Sequence, residues 1–221
     1  ILGAMGALAQ SDLRRMLGFV VVSGIGYMLA GLAIASQTGL SAAIFYALHS
    51  VVLMTALYFL AGHMARLGGS WSLNNLGGLY AQAPWFAGLA LALFFAASGL
   101  PPFSGFWPKA LLVKSALEGQ YYWLAFAVLF SGFLITLAFG RVFLFAFWRP
   151  KPVATGAKKT MAPVEVGGED PSYLAVVALT ALIVVFGLFP NSLIELSNQA
   201  ASGLLDPSAY IRSVFPQEAG Q

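Results

Sequence analysis

The chain has 221 residues, of which 59% are hydrophobic and 9% charged, with a formal net charge of +3. A soluble domain carries about 25% charged residues, so this chain lacks the side chains needed to wet its own surface. It has no cysteine and two histidines, which excludes disulfides, thiolate metal sites, iron–sulfur clusters and a cysteine nucleophile.

Two nitrogen ligands, His49 and His63, are too few to suggest a protein-held haem or zinc, and neither a cofactor nor a metal is expected. The small positive balance does not point to nucleic acid either, because the basic residues sit where loops meet apolar stretches.

Taken in order, Ile1–Gln10 reads as the end of an earlier helix. With no initiating methionine and no signal-peptide pattern, the chain is expected to begin inside a longer protein. A spanning helix needs roughly 20 mostly apolar residues. Four stretches qualify, at Gly18–Ser36, Ala42–Leu67, Tyr122–Trp148 and Tyr173–Phe189. Between the second and third lies Ala83–Leu117, apolar but interrupted by Gly99, Pro101, Pro102, Gly105 and Pro108. Glycine and proline at that density break a helix.

Loop charge decides between one broken crossing and two short ones. As one crossing, Arg14, Arg15, Arg66, Arg149, Lys151, Lys158 and Lys159 share a side. The opposite loops, Gln37–Leu40 and Glu118–Tyr121, then hold no lysine or arginine. The positive-inside rule favours that arrangement and places the cations in the cytoplasm. Five crossings follow, forming an all-α polytopic membrane helix bundle with a discontinuous transmembrane helix. Pro150–Asp170 reads as a polar cytoplasmic linker with room for a short interfacial helix. Beyond Pro190 the pattern is too interrupted to span and is expected on the outer face.

Lys109 is the first candidate for chemistry. It follows the break near the middle of a long apolar segment, where a charge costs at least about 2.5 kcal/mol. Backbone freed by a break is tolerated at that depth only where protein or water satisfies it. With the second half-helix starting near Pro108, which suits a first helical position, Lys109 would stand at a positive dipole end. An amine so placed suits a proton relay; the alternative is a lysine snorkelling from a helix end. Lys114, with Glu118 four residues on, reads as a snorkelling residue in a weak ion pair.

His49 lies within the second span. Histidine titrates near neutral pH, so it can carry a proton, or it can sit neutral and hydrogen-bonded between packed helices. Tyr46, Ser50, Met54 and Tyr58 extend a stripe at four-residue spacing beside it. His63 is expected at the cytoplasmic interface. Arg141, about two turns inside the third span, can reach the interface or pair with a buried carbonyl. Asp12, Arg14 and Arg15 form a topological anchor. Gly24 and Gly26 permit close helix approach.

The run Gly6-Ala7-Leu8-Ala9-Gln10-Ser11-Asp12-Leu13-Arg14-Arg15 with Ser23-Gly24-Ile25-Gly26-Tyr27-Met28 resembles the signature of the large antiporter-type membrane subunits. So do His49–Gly62 and Gly99-Leu100-Pro101-Pro102-Phe103-Ser104-Gly105-Phe106-Trp107-Pro108-Lys109. The likeness extends over nearly the whole chain and is strongest to the D-type subunits of Mrp (Pha) cation/proton antiporters. It implies two inverted five-helix repeats, each with a broken helix, and a hydrated axis of charged residues at mid-membrane.

Under that likeness, residues 1–148 are the second repeat, entered through an incomplete helix. Residues 149–171 are a cytoplasmic loop, 172–190 the final crossing and 191–221 an outer-face amphipathic tail. Lys109 takes the place of the lysine in the second broken helix assigned to terminal proton exchange. His49 takes that of the axis histidine, with Arg141, Tyr46, Ser50 and Lys114 as supporting residues. Two departures stand out. Met54 occupies the usual position of a lysine and Ser50 an adjacent acidic one, and Val20 and Gly24 replace polar residues.

The implied function is a subunit of a multisubunit cation/proton antiporter in the bacterial inner membrane. Its partners are the other subunits, the lipid bilayer, protons and Na+ or K+. The chain is not expected to be an enzyme by itself. The alternatives are a pump subunit of complex I or a membrane-bound hydrogenase, and a non-conducting scaffold.

Overall fold

A computed structural model describes residues 1–151, 171–206 and 208–214. Lys158, Lys159 and most of the polar stretch between Pro150 and Asp170 lie outside the described residues. Helices dominate: α1 Leu2–Ala9, α2 Leu13–Ile34, α3 Gln37–Gly68, α4 Leu79–Gln82, α5 Pro84–Ser98, α6 Phe106–Glu118 and α7 Tyr122–Phe143. A π-helical turn, Leu144–Trp148, continues α7, and α8 Pro171–Leu188, α9 Asn191–Leu205 and α10 Ser208–Val214 follow. Among the described residues the one β-type pairing is an isolated bridge between Asp12 and Ser72.

The boundaries follow local chemistry. Asp12 caps α2 by accepting from the backbone N–H groups of Arg14 and Arg15, at 3.0 and 3.2 Å, which satisfies donors that a helix start leaves open. Ser36 does the same for α3 through Gly39 N–H at 3.0 Å. Between them the turn is only Ala35 and Ser36. It closes because Gly31 and Gly39 let two backbones meet; a Cβ on Gly39 would lie 2.9 Å from the Gly31 carbonyl oxygen.

Among the described residues three helices are long and apolar enough to cross a membrane uninterrupted: α2, α3 and α7 with its π turn. The segment expected to be one broken crossing is two short helices, α5 of 15 residues and α6 of 13. At 1.5 Å per residue these rise roughly 22 and 20 Å, so neither spans a core of about 30 Å alone. The chain then bends by 78° between Ser172–Leu188 and Asn191–Leu205. Pro190 stands at that bend and α9 lies across the end of the bundle. Ser197 and Ala201 face inward there, while Leu196, Leu204 and Leu205 are exposed.

The two ends differ in charge. At one, Arg14 stacks over Trp71 at 4.9 Å, and the Arg149 guanidinium donates to the carbonyls of Leu73, Asn74 and Leu76. Arg15, Arg66 and Lys151 belong to the same end. At the other, Ser36 bonds Ser115 at 2.7 Å and Gln37 donates to the Asn198 carbonyl at 2.8 Å. Lys114 and Glu118 form an exposed pair there, 3.8 Å apart.

A packed aromatic and aliphatic core fills the cation-rich half, with Phe94 stacked on Phe139 at 4.8 Å and Phe143 on Phe147 at 5.0 Å. Large apolar side chains also cover the outside: Leu29, Val51, Phe126 and Leu129 are all more than half exposed. Helices apolar inside and out suit lipid as solvent.

Candidate functional site

The site is built on the break between α5 and α6. The C-terminal carbonyls of a helix have no partner within it. Gly99, at φ +83°, turns α5 off in the left-handed region that glycine adopts without steric penalty, and its N–H closes on Phe95 and Ala96. The carbonyls of Ala97 and Ser98 are left over. Lys109 Nζ takes both, at 2.9 and 2.8 Å.

The structure sharpens the expected placement of the amine in two respects. The second half-helix begins at Phe106 behind Gly105, so Pro108 is its third residue, still among the positions whose missing N–H costs no helical bond. A helical side chain leans toward its own N-terminus. Lys109 therefore reaches back over its own first turn into the break and sets its amine against the carbonyls that end α5. The residue is 9% exposed, and the amine reaches no interface.

Room for this contact comes from glycine. A Cβ on Gly99 would stand 2.6 Å from Lys109 Cδ and 3.0 Å from Nζ. A Cβ on Gly105 would stand 3.0 Å from His49 Nε2 and collide with the Ala96 carbonyl. Two break glycines thus admit the two titratable side chains. His49, 2% exposed, bonds through Nδ1 to Ser104 Oγ at 2.8 Å. The rings of Tyr46 and His49 meet edge-on at 6.0 Å, and Tyr27 lies 5.0 Å from Tyr46. Lys109 Nζ stands 5.1 Å from the Tyr27 ring centroid. Nearby, Ser23 and Ser131 pair at 3.1 Å between α2 and α7.

A cavity of about 760 Å³ adjoins the amine. It runs from Ser98, Gly99 and Lys109 to Lys114, Leu117 and Glu118, with Val128, Gly132 and Thr136 on the α7 side. The walls are mainly apolar, with polar groups at the two ends. Among the described residues no three His, Asp or Glu side chains converge as a metal set.

A model of the family described as NADH:quinone oxidoreductase/Mrp antiporter, TM matches residues 1–135. The chain belongs to this family. It is 32% identical over 215 residues to the D subunit of the Na(+)/H(+) antiporter of Alkalihalophilus pseudofirmus, covering 97% of this chain and 42% of that protein. In structure it is similar to a chain of the Mrp complex from Dietzia sp. DQ12-45-1b, with a TM-score of 0.85, 28% identity, and 97% and 47% coverage. It is also similar to a chain of respiratory complex I from Thermus thermophilus with bound NADH, with a TM-score of 0.75, 26% identity, and 91% and 42% coverage. The chain spans less than half the length of these relatives.

The remaining candidates of this antiporter-family chain separate into those near the break and those away from it. Tyr46 is buried beside His49. Ser50 is half-buried, its Oγ 3.8 Å from where a Cβ on Gly24 would stand. The stripe does not continue as one inward face, because Tyr58 is 44% exposed. Four residues advance a helix by about 400°, so a strict four-residue row drifts about 40° per step and leaves the interior. Met54, where the resemblance leads one to expect a lysine, packs on the apolar core. Arg141 donates to the Gln10 carbonyl at the end of α1.

His63, expected near the cytoplasmic interface, lies toward the cation-rich end of α3 and is enclosed by protein there: it is 1% exposed, between Phe86 and Tyr173, with Nε2 bonded to Ser172 Oγ at 3.0 Å. Helix α8, which no local pattern ties to α3, covers it. Sequence reasoning gave no role to Tyr27, to Ser104 or to the α5 carbonyls. Ser104 had a usable signal, since a polar residue between the break's prolines and Gly105 must be bonded if the break is buried.

Proposed function

We propose that this chain relays protons at mid-membrane as part of a membrane subunit of a multisubunit cation/proton antiporter, with Lys109 as the exchanging group. The observation that carries it is the Lys109 amine, buried across a helix break on two otherwise unsatisfied carbonyls and at the wall of a cavity. Among the described residues an ammonium in that position is held by neutral dipoles, with no carboxylate to lock it, so it can give its proton to water in the cavity and regain one. His49, bonded to Ser104 on the same break, is the next titratable group along the axis.

In this proposal residues 1–148 are one repeat of the antiporter fold, followed by the loop 149–171, the crossing 172–190 and the tail 191–221. Transporters of this design place ion sites at midplane between repeats. The cation-rich end, with Arg14, Arg66 and Arg149, faces the cytoplasm of a bacterial inner membrane. Other subunits are the partners, protons and Na+ or K+ the cargo, and no chemistry is performed on a substrate. A second reading, a non-conducting scaffold, draws on Met54 and its apolar surroundings.

Proton flux in membrane vesicles, normalised to assembled complex on a native gel, separates the two. Lys109→Ala should abolish proton-coupled transport without loss of assembly. Lys109→Arg should also fail, because guanidinium does not release its proton in proteins. Wild-type flux in both variants would remove Lys109 from the path and favour the scaffold.

A further inference from the structure

Protonated lysine carries three N–H bonds. At Lys109 two end on the carbonyls of Ala97 and Ser98, and the ring of Tyr27 stands against the amine at 5.1 Å. Tyr27 comes from α2, is 4% exposed, and is braced by Tyr46 at 5.0 Å. Tyr46 fits because residue 24 is glycine: a Cβ there would lie 3.3 Å from Tyr46 Cε1 and 3.4 Å from its Oη. The face of an aromatic ring attracts a cation and gives no such attraction to a neutral amine. The ring therefore acts on one protonation state of Lys109 only, which a packing contact would not do.

We propose that Tyr27 is a positioning residue for proton exchange at Lys109, its ring face holding the ammonium form over the carbonyls that end α5. This rests on Lys109 being the exchanging group. The other titratable and charged groups around the amine are few. Helix α3 presents His49 and Tyr46, and α2 presents Tyr27 itself. Helix α7 contributes the hydroxyls of Ser131 and Thr136, and α5 backbone carbonyls. On α6, Lys114 and Glu118 stand at the far end of the cavity.

The test is the pH profile of proton flux in vesicles containing the complete antiporter assembly, for wild type, Tyr27→Phe and Tyr27→Leu. Phenylalanine keeps the ring face and should keep the wild-type profile. Leucine removes it and should move the midpoint to lower pH by about 1.5 units, the size of a desolvated cation–π contact. A lowered amplitude at an unchanged midpoint would reduce Tyr27 to a packing role. A phenylalanine variant as impaired as the leucine one would assign the effect to the hydroxyl, and either result overturns the proposal. If Tyr27→Leu does not assemble, Tyr27→Met and Tyr27→Trp pose the same question, with the shift expected for methionine only. Normal transport by Lys109→Ala would instead sink the relay itself, whatever Tyr27 does.

Discussion

Helix α3 carries two buried histidines, His49 and His63, roughly 21 Å apart along its axis, and their surroundings differ. His49 meets the helix break, a serine hydroxyl, Tyr46 and the glycine gap beside Lys109. His63 is enclosed by Phe86 and Tyr173 and bonded to Ser172. Between them α3 presents Leu53, Leu57 and Leu60 to Phe94 and Phe139. A small void lined by Leu57, Leu60, Met64, Phe94 and Phe139 measures about 10 Å³ and is apolar, so a water there would find no polar partners. A titratable residue at depth is not by itself a proton path. In the proposed relay the interruption of a neighbouring helix supplies what is missing, freed carbonyls and an adjoining cavity.

The contrast can be broken from either half. The largest effect on stability is expected in the dry half. Phe139→Ala should destabilise the protein by about 3–5 kcal/mol through the cavity it leaves, read as a lower melting temperature in detergent. Flux per assembled complex should stay near wild type, and a proportionate loss of flux would show that the dry half also conducts. At the break, Gly105→Ala should cost about 1–3 kcal/mol by overpacking against the Ala96 carbonyl and His49. Here transport should fall much further than stability; equal falls would make the break a packing element only.

The smallest effect belongs to the charged end. Asp12→Ala removes the α2 cap and should cost about 1 kcal/mol. Partial burial pushes the Asp12 carboxyl upward, but hydrogen bonds from Arg14 and Arg15 and the Arg14 charge together hold it below its ordinary value. Its stabilisation is therefore present above the ordinary carboxylate range and is lost as pH falls through the lowered value. Thermal melts at neutral and strongly acidic pH should show the Asp12→Ala deficit disappearing in acid, and a deficit independent of pH would assign it to something other than the carboxylate.

The long helices and the break were legible because apolar runs, prolines and glycines act locally. Lys109 was legible as a charge where none belongs. The direction of its side chain was not, since that depends on which carbonyls α5 leaves unbonded. The burial of His63 was hidden for a similar reason: α8 returns from beyond residue 170 to cover it. Tyr27 reads as an ordinary apolar-helix aromatic until the fold brings α2 against α6.

On the proposed relay, water reaches the half of the bundle containing the break and not the half between the two histidines. The chain contributes no cysteine of its own, so single cysteines at residue 136, on the cavity wall, and residue 61, in the dry half, can be compared directly. An impermeant thiol reagent added on the side where Glu118 lies should modify Thr136→Cys and leave Ala61→Cys untouched from either side. Modification of residue 61 from the cation-rich side, at a rate comparable with residue 136, would contradict the account.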